Sequence, residues 1–341
     1  MSINPLRYLM LPWWTITLAT GAKSFVDHPL IGSRRLNEAG LHAARLRIAH
    51  GMTAKRREKL AHLISEADRQ AFDRDGFVIK RDFLPEGLFR AMRSKLESWR
   101  GPARDMRQGN AITRRFALDQ KLLADVPELR NVLNDPDWRG LLRYANSFDV
   151  EPVTYIQTIL AHLDGEVADP QLNLHSDAFH PSVKAWLFLE DVEEDEGPFS
   201  YVPGSHRLTP ERLEWEGRKS LDARHAERLT ARGSFRIERE ELDGLKLPQP
   251  RLCAVPANTL VVADTFGFHA RGPSVRPSRR VEIWAYGRRN PFLPFTGFDL
   301  AQIPGVAERR APAYWRFRDK FEKWIGQPWQ DVGFKGPFDR T

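Results

Sequence analysis

Ser182-Val183-Lys184-Ala185-Trp186-Leu187-Phe188-Leu189-Glu190 is a short, largely apolar run, followed by the polar turn Glu193-Glu194-Asp195-Glu196-Gly197-Pro198. A second run, Phe199-Ser200-Tyr201-Val202, then meets the turn Pro203-Gly204-Ser205-His206. Runs this short, rich in aromatic and branched residues and closed by Gly, Pro and acidic clusters, read as β-strands. The same texture extends outward to 150–161, 251–255, 259–264 and 279–287, with a further turn at Pro256-Ala257-Asn258. Strands at such spacing predict a sandwich or jelly roll and not alternating βαβ units.

Upstream the texture is helical. Helices are predicted at 66–75, 85–99, 126–134 and 136–146, with a strand at Gly76–Lys80 between the first two. Residues 209–232 read as a charged helical insertion. The tail from 288 is rich in aromatics, among them Phe298, Trp315, Trp324 and Trp329, and is expected to wrap the core.

The chain has 341 residues, 41% of them hydrophobic and 28% charged, an ordinary globular mixture that excludes collagen-like, coiled-coil and disordered classes. Its single cysteine, Cys253, excludes a disulfide framework and any metal site with two thiolates. A metal site must therefore be built from His, Asp and Glu.

The net charge of +7 is unevenly placed. Arg7, Lys23, Arg34, Arg35, Arg45, Arg47, Lys55, Arg56, Arg57 and Lys59 face only Asp27, Glu38 and Glu58 in the first sixty residues, so the remainder is neutral. A basic end on a neutral body points to an anionic partner. The uncharged stretch Tyr8–Ala22 holds Leu9, Trp13, Trp14 and Ile16 but is shorter than the ~20 residues a spanning helix needs. Adjacent tryptophans beside bases suit the surface of an anionic membrane. Residues 38–64 read as a helix with Leu41, Ala44, Ile48 and Met52 on its apolar face. The organisation expected is an amphipathic basic segment over 1–66, bound to a membrane surface or packed on the body, and a catalytic body over 67–341. A cleaved signal peptide is disfavoured by Pro12 and the paired tryptophans. Nucleic-acid binding is disfavoured because the aromatics cluster with aliphatics instead of alternating along a platform.

His175-Ser176-Asp177 puts two metal-ligating side chains on one side of an extended segment, since residues i and i+2 share a face. His162-Leu163-Asp164 has the same pattern, so the triplet alone does not choose between them. Context does: the Trp186 strand, the Pro203-Gly204-Ser205-His206 turn, His269 at 92 residues after Asp177, and Arg280 eleven residues after His269. Together with Asp73-Arg74-Asp75-Gly76-Phe77-Val78, these make the chain resemble the phytanoyl-CoA dioxygenase family over roughly 68–290.

The resemblance implies a double-stranded β-helix (cupin-like jelly roll) with helical additions. It implies an oxygenase that uses iron(II), 2-oxoglutarate and dioxygen, with His175, Asp177 and His269 as metal ligands. Arg280 would anchor the far carboxylate of 2-oxoglutarate, because a guanidinium offers two parallel charged hydrogen bonds. Trp186 and Gln157 would line the cosubstrate site. Two imidazoles and one carboxylate on one face of iron leave three positions for a 2-oxo acid and dioxygen. Arg279 is the alternative anchor if strand parity slips by one, as Thr158 is to Gln157. His206 is read as a turn residue. Leu174 and Arg271 depart from the family pattern, which carries an aromatic and a small hydroxyl residue there; Arg271 is a candidate contact to an anionic substrate. Some bacterial members hydroxylate the Kdo sugar of lipid-linked lipopolysaccharide precursors, which would suit an enzyme peripheral to the inner face of the cytoplasmic membrane. A soluble small molecule or acyl thioester is the alternative substrate, and a non-catalytic binding module the alternative function.

Overall fold

The computed structural model describes residues 10–163, 169–300, 303 and 305–340. Arg7, Leu9 and Asp164 lie outside the described residues. Among the described residues eleven strands follow in chain order: β1 (Phe77–Lys80), β2 (Gly101–Gln108), β3 (Ala111–Ala117), β4 (Val153–Ala161), β5 (Val183–Phe188), β6 (Phe199–Tyr201), β7 (Arg251–Cys253), β8 (Leu260–Asp264), β9 (His269–Arg271), β10 (Ser278–Gly287) and β11 (Gln330–Lys335). They form an eight-stranded sheet in the order β1-β8-β5-β10-β4-β3-β2-β11 and a three-stranded sheet in the order β7-β6-β9. The pairings between these strands are antiparallel.

The period of two along β10 sorts the molecule into layers. Val281, Ile283 and Ala285 turn toward the helices and join Ile156, Leu187, Val262, Met92, Trp138 and Leu142 in one core. Trp284, on the opposite face, joins Trp186, Phe188, Phe199 and Tyr201 in a second core between the two sheets. Burying aromatic and branched side chains on both faces of the large sheet supplies most of the driving force, at about 25 cal/mol per Å² of apolar surface removed from water.

The helices at Glu66–Asp75, Glu86–Ser98, Glu128–Asn134 and Pro136–Asn146 lie where the sequence places them. Local chemistry accounts for their ends: Ser65 Oγ accepts from Asp68 N, and Asp135 accepts from Asp137 N and Trp138 N. The insertion folds as a helix, Pro210–Asp222, and two short turns of helix after it. In the tail, Trp315 and Trp329 are buried, but Phe298 and Trp324 stand in solvent, so the tail wraps the core only in part. It also adds β11 to the edge of the large sheet against β2.

The helix Leu41–Leu60 faces the other way from the sequence reading. Ala44 and Ile48 are exposed, whereas His42, Arg45, Leu46, Ala49, Thr53, Arg56 and Leu60 are buried. The reason is that its arginines act as internal hydrogen-bond donors. Arg45 binds the carbonyls of Leu18, Thr20 and Ala22; Arg56 binds those of Ser147, Pro291 and Leu293; Arg57 meets Asp264 at 2.8 Å. A guanidinium that satisfies several buried carbonyls replaces the hydration it loses. Much of the basic excess is thereby consumed inside the protein, and the segment from 18 to 60 packs on the catalytic body.

Candidate metal centre

His175 and His269 are brought together by the backbone. His175 N donates to His269 O at 3.0 Å and His269 N returns the bond to His175 O at 2.9 Å, while Asp177 N donates to Thr265 O at 2.9 Å. The turn before His269 depends on Gly267: a Cβ there would lie 1.8 Å from the Tyr201 hydroxyl, which donates to Asp264 O beneath it. Ser205 of the Pro-Gly-Ser-His turn accepts from Phe268 N through its Oγ, fixing the approach to β9.

Ligand atoms of His175, Asp177 and His269 all lie within 4.8 Å of one another. His175 Nδ1 is 2.8 Å from Asn173 O, and His269 Nδ1 is 2.9 Å from Gly267 O. A carbonyl can only accept, so each Nδ1 carries the proton and each Nε2 keeps its lone pair, the tautomer a metal ligand needs. Both Nε2 atoms face Asp177 Oδ1, at 3.8 and 3.7 Å. Burial, reinforced by His269, pushes His175 well below its ordinary pKa; burial also lowers His269, to about 4. Burial works against the charge of Asp177, but Lys184 and the two imidazoles hold its carboxyl far below the usual range. Neutral imidazoles beside an ionised carboxylate are the donor set of a mononuclear divalent site. Lys184 Nζ, 2.7 Å from Asp177 Oδ2 and 3.4 Å from His269 Nε2, shows how strongly these acceptors draw a cation.

The triad opens into a cavity of about 370 Å³ between the two sheets, lined also by Gln157, Trp186, Arg271 and Arg280. Arg280 is buried; its Nε donates to Glu282 Oε2 at 2.8 Å and its Nη1 to Gly197 O. Arg279 points to the other side and pairs with Glu190. Gln157 Nε2 donates to Glu282 Oε1 at 2.7 Å and its Oε1 accepts from Arg115 Nε at 2.8 Å, whereas Thr158 bonds Pro337 O outside the cavity. Arg271 lines the wall but pairs with Asp169 at 2.5 Å. His162 is distant in role: its Nδ1 contacts Ser274 O at an exposed position. His206 packs edge-on against Phe72.

Sequence reasoning missed Lys23, Lys184, Arg115 and Glu282. Glu282 was within reach of the strand period, because it shares a face with Arg280. Lys23 had no local signal at all.

A two-sheet sandwich with a His-Asp-His set whose imidazoles are buried defines the class: a mononuclear non-haem metal enzyme on a double-stranded β-helix. The family model described as Phytanoyl-CoA dioxygenase (PhyH) matches residues 72–241, which include His175 and Asp177. The chain belongs to this family of iron- and 2-oxoglutarate-dependent oxygenases, and its donor set fits iron. No curated protein matches the sequence. Solved structures that resemble it include the non-heme alpha ketoglutarate dependent epimerase SnoN from nogalamycin biosynthesis, at 20% identity over 66% of this chain and 82% of that one, TM-score 0.44. HygX from Streptomyces hygroscopicus, with nickel, 2-oxoglutarate and hygromycin B bound, is 18% identical over 66% and 88%, TM-score 0.40. The carbocyclase SnoK from nogalamycin biosynthesis is 19% identical over 67% and 84%, TM-score 0.39.

Proposed function

We propose that the protein is a hydroxylase that inserts oxygen into a C–H bond of an anionic substrate, with His175, Asp177 and His269 holding iron(II). Iron held there, with 2-oxoglutarate and dioxygen, would supply the oxidising power for hydroxylation as 2-oxoglutarate is converted to succinate and carbon dioxide. The observation that carries the reading is the pairing of a fixed Nε2-facing triad with a buried arginine, Arg280, in one cavity.

The chain's own residues have separable tasks. Asn173 O and Gly267 O orient the imidazoles. Glu282 and Gly197 O hold the Arg280 guanidinium through Nε and Nη1, which leaves Nη2 for a cosubstrate carboxylate. Gln157 and Arg115 complete a hydrogen-bonded wall, and Trp186 and Trp284 keep water from it.

The Kdo sugar of a lipid-linked precursor is the substrate that fits an anionic ligand reached from a bilayer. Support comes from Leu11, Trp13 and Ile16, all exposed on the helix Leu11–Thr17. No helix among the described residues is long and apolar enough to cross a membrane. A soluble anion is the second reading, favoured by the internal use of Lys23, Arg45, Arg56 and Arg57, which leaves fewer bases for a lipid surface.

The test is anaerobic addition of iron(II) and 2-oxoglutarate, followed through the weak visible charge-transfer band of their chelate. The band should form in the native protein and in His162→Ala, and fail in His175→Ala. A band that survives His175→Ala would refute the site.

A further inference from the structure

We infer that the primary substrate is held by an anionic group set between Lys23 and Arg288, on the far side of the metal donors from Arg280. The inference rests on the oxygenase reading and adds to it the substrate's anchor, one half of which comes from the amino-terminal segment.

Charge is the first ground. Lys23, Arg115, Lys184, Arg271, Arg280 and Arg288 all line the cavity, and Asp177 is the acid that lines it with them. Arg280 is balanced by Glu282, Arg271 by Asp169 and Lys184 by Asp177. Lys23 Nζ meets a backbone oxygen, Asp177 O, at 2.5 Å, and Arg288 has no ion pair or hydrogen bond among the described residues. Lys23, Arg115 and Arg288 thus have no carboxylate in contact among the described residues; Arg115 is bonded to Gln157 Oε1 and lies over Trp284 and Trp329, which leaves Lys23 and Arg288 as the cations open to an anion at this end of the cavity.

Position is the second ground. Arg280, Glu282, Trp284, Tyr286 and Arg288 share the inward face of β10 and its extension, so Arg280 and Arg288 are separated by about 26 Å of extended chain. The Arg280 end lies against Gly197, whose Cβ position is 3.5 Å from Arg271, two residues along β9 from His269. Tyr286, near the other end, stands opposite Lys184, the residue that touches Asp177. The donors thus lie between the two arginines. A five-carbon diacid that spans donors and Arg280 cannot also reach Arg288.

Rigidity is the third. Lys23 is flanked by Ala22, whose carbonyl is held by Arg45 at 2.6 Å, and by Phe25 and Val26, whose amides both donate to Ala231 O. The lysine is therefore presented on a fixed strap, and binding loses little entropy to its ordering.

The experiment titrates full-length protein, loaded anaerobically with iron(II) and saturating 2-oxoglutarate, with two probes read by calorimetry. Sulfate stands for a phosphoryl-type dianion; free Kdo, with one ionised group, stands for a carboxylate. Saturable binding of either probe, weakened tenfold or more by Lys23→Met and by Arg288→Gln with 2-oxoglutarate affinity unchanged and partial recovery in Lys23→Arg, supports the anchor and identifies its chemistry. Arg288 is exposed, so its variant tests the site even if Lys23→Met folds poorly. Absence of binding by both probes, equal affinity in native protein and both variants, or loss of 2-oxoglutarate affinity in Lys23→Met would overturn it. Failure of the native protein to take up iron or 2-oxoglutarate would instead overturn the oxygenase reading.

Discussion

Arg280 and Glu282 lie two positions apart on the same face of β10, and the Arg280 Nε donates to a carboxylate that is 0% exposed, at 2.8 Å. The cation proposed to bind the cosubstrate is itself held by a buried anion. Removing one member of such a pair strands the other, at a cost of about 3–5 kcal/mol.

Arg280→Ala should therefore do two separable things. It should lower 2-oxoglutarate affinity by ~100-fold or more, because the charged contact through Nη2 is lost, and it should lower the melting temperature because Glu282 is left without its counter-charge. Adding Glu282→Gln should restore much of the stability and none of the affinity. Arg279→Ala, which breaks the pair with Glu190 and the bond to Phe338 O on the outer side, should leave affinity nearly unchanged. Calorimetric titration and thermal denaturation of the four proteins decide the matter; a large affinity loss in Arg279→Ala would reverse the assigned strand parity.

Stability should decline as pH falls from 7 to 5. Burial first, with Arg212 and Arg57 behind it, pushes His50 well below the usual histidine range; burial, followed by Arg57, lowers His206 to about 3. Below about pH 6.5 the unfolded chain takes up protons that these native histidines refuse, so unfolding is favoured. Each contributes at most about 2 kcal/mol of destabilisation by pH 5, and nothing above pH 7. The melting temperature of His206→Gln should fall less steeply over this range than that of the native protein. Parallel profiles would show that His206 is not buried neutral.

Deleting residues 1–60 should unfold the protein, not merely detach it from a surface. Arg57 Nη2 pairs at 2.8 Å with Asp264, which is 0% exposed, and Arg56 satisfies three carbonyls from two distant segments. The single change Arg57→Ala should already cost about 3–5 kcal/mol by leaving Asp264 buried and unpaired. Circular dichroism and 2-oxoglutarate binding check both; a shortened chain that folds and binds 2-oxoglutarate would make the segment a dispensable anchor.

If the substrate is lipid-linked, full-length protein should bind anionic vesicles, and Trp13→Ser with Ile16→Ser should weaken that binding. Raising salt should weaken it further, since surface attraction is screened over ~8 Å at physiological ionic strength. Vesicle sedimentation reads the result. Indifference to anionic vesicles at low salt would favour the soluble substrate.

The strands around the candidate site were legible because a half-buried antiparallel sheet writes its period into the chain: β4, β5, β8 and β10 fall within a few residues of their predicted limits. His175, Asp177 and His269 were legible because the spacing of donors and the intervening turns carry the family pattern. The strands β2 and β3 were not, because Arg104, Asp105, Arg114 and Arg115 occupy them and hide the alternation; Arg114 is buried with Asp105 across from it at 2.8 Å. Composition located the basic excess in the first sixty residues and pointed it outward. Tertiary structure decided otherwise for Lys23, Arg45, Arg56 and Arg57, whose partners lie up to 237 residues away in the chain. Periodicity records which side of an element avoids water, whereas the fate of a charged side chain depends on which distant carbonyl or carboxylate folding brings to it.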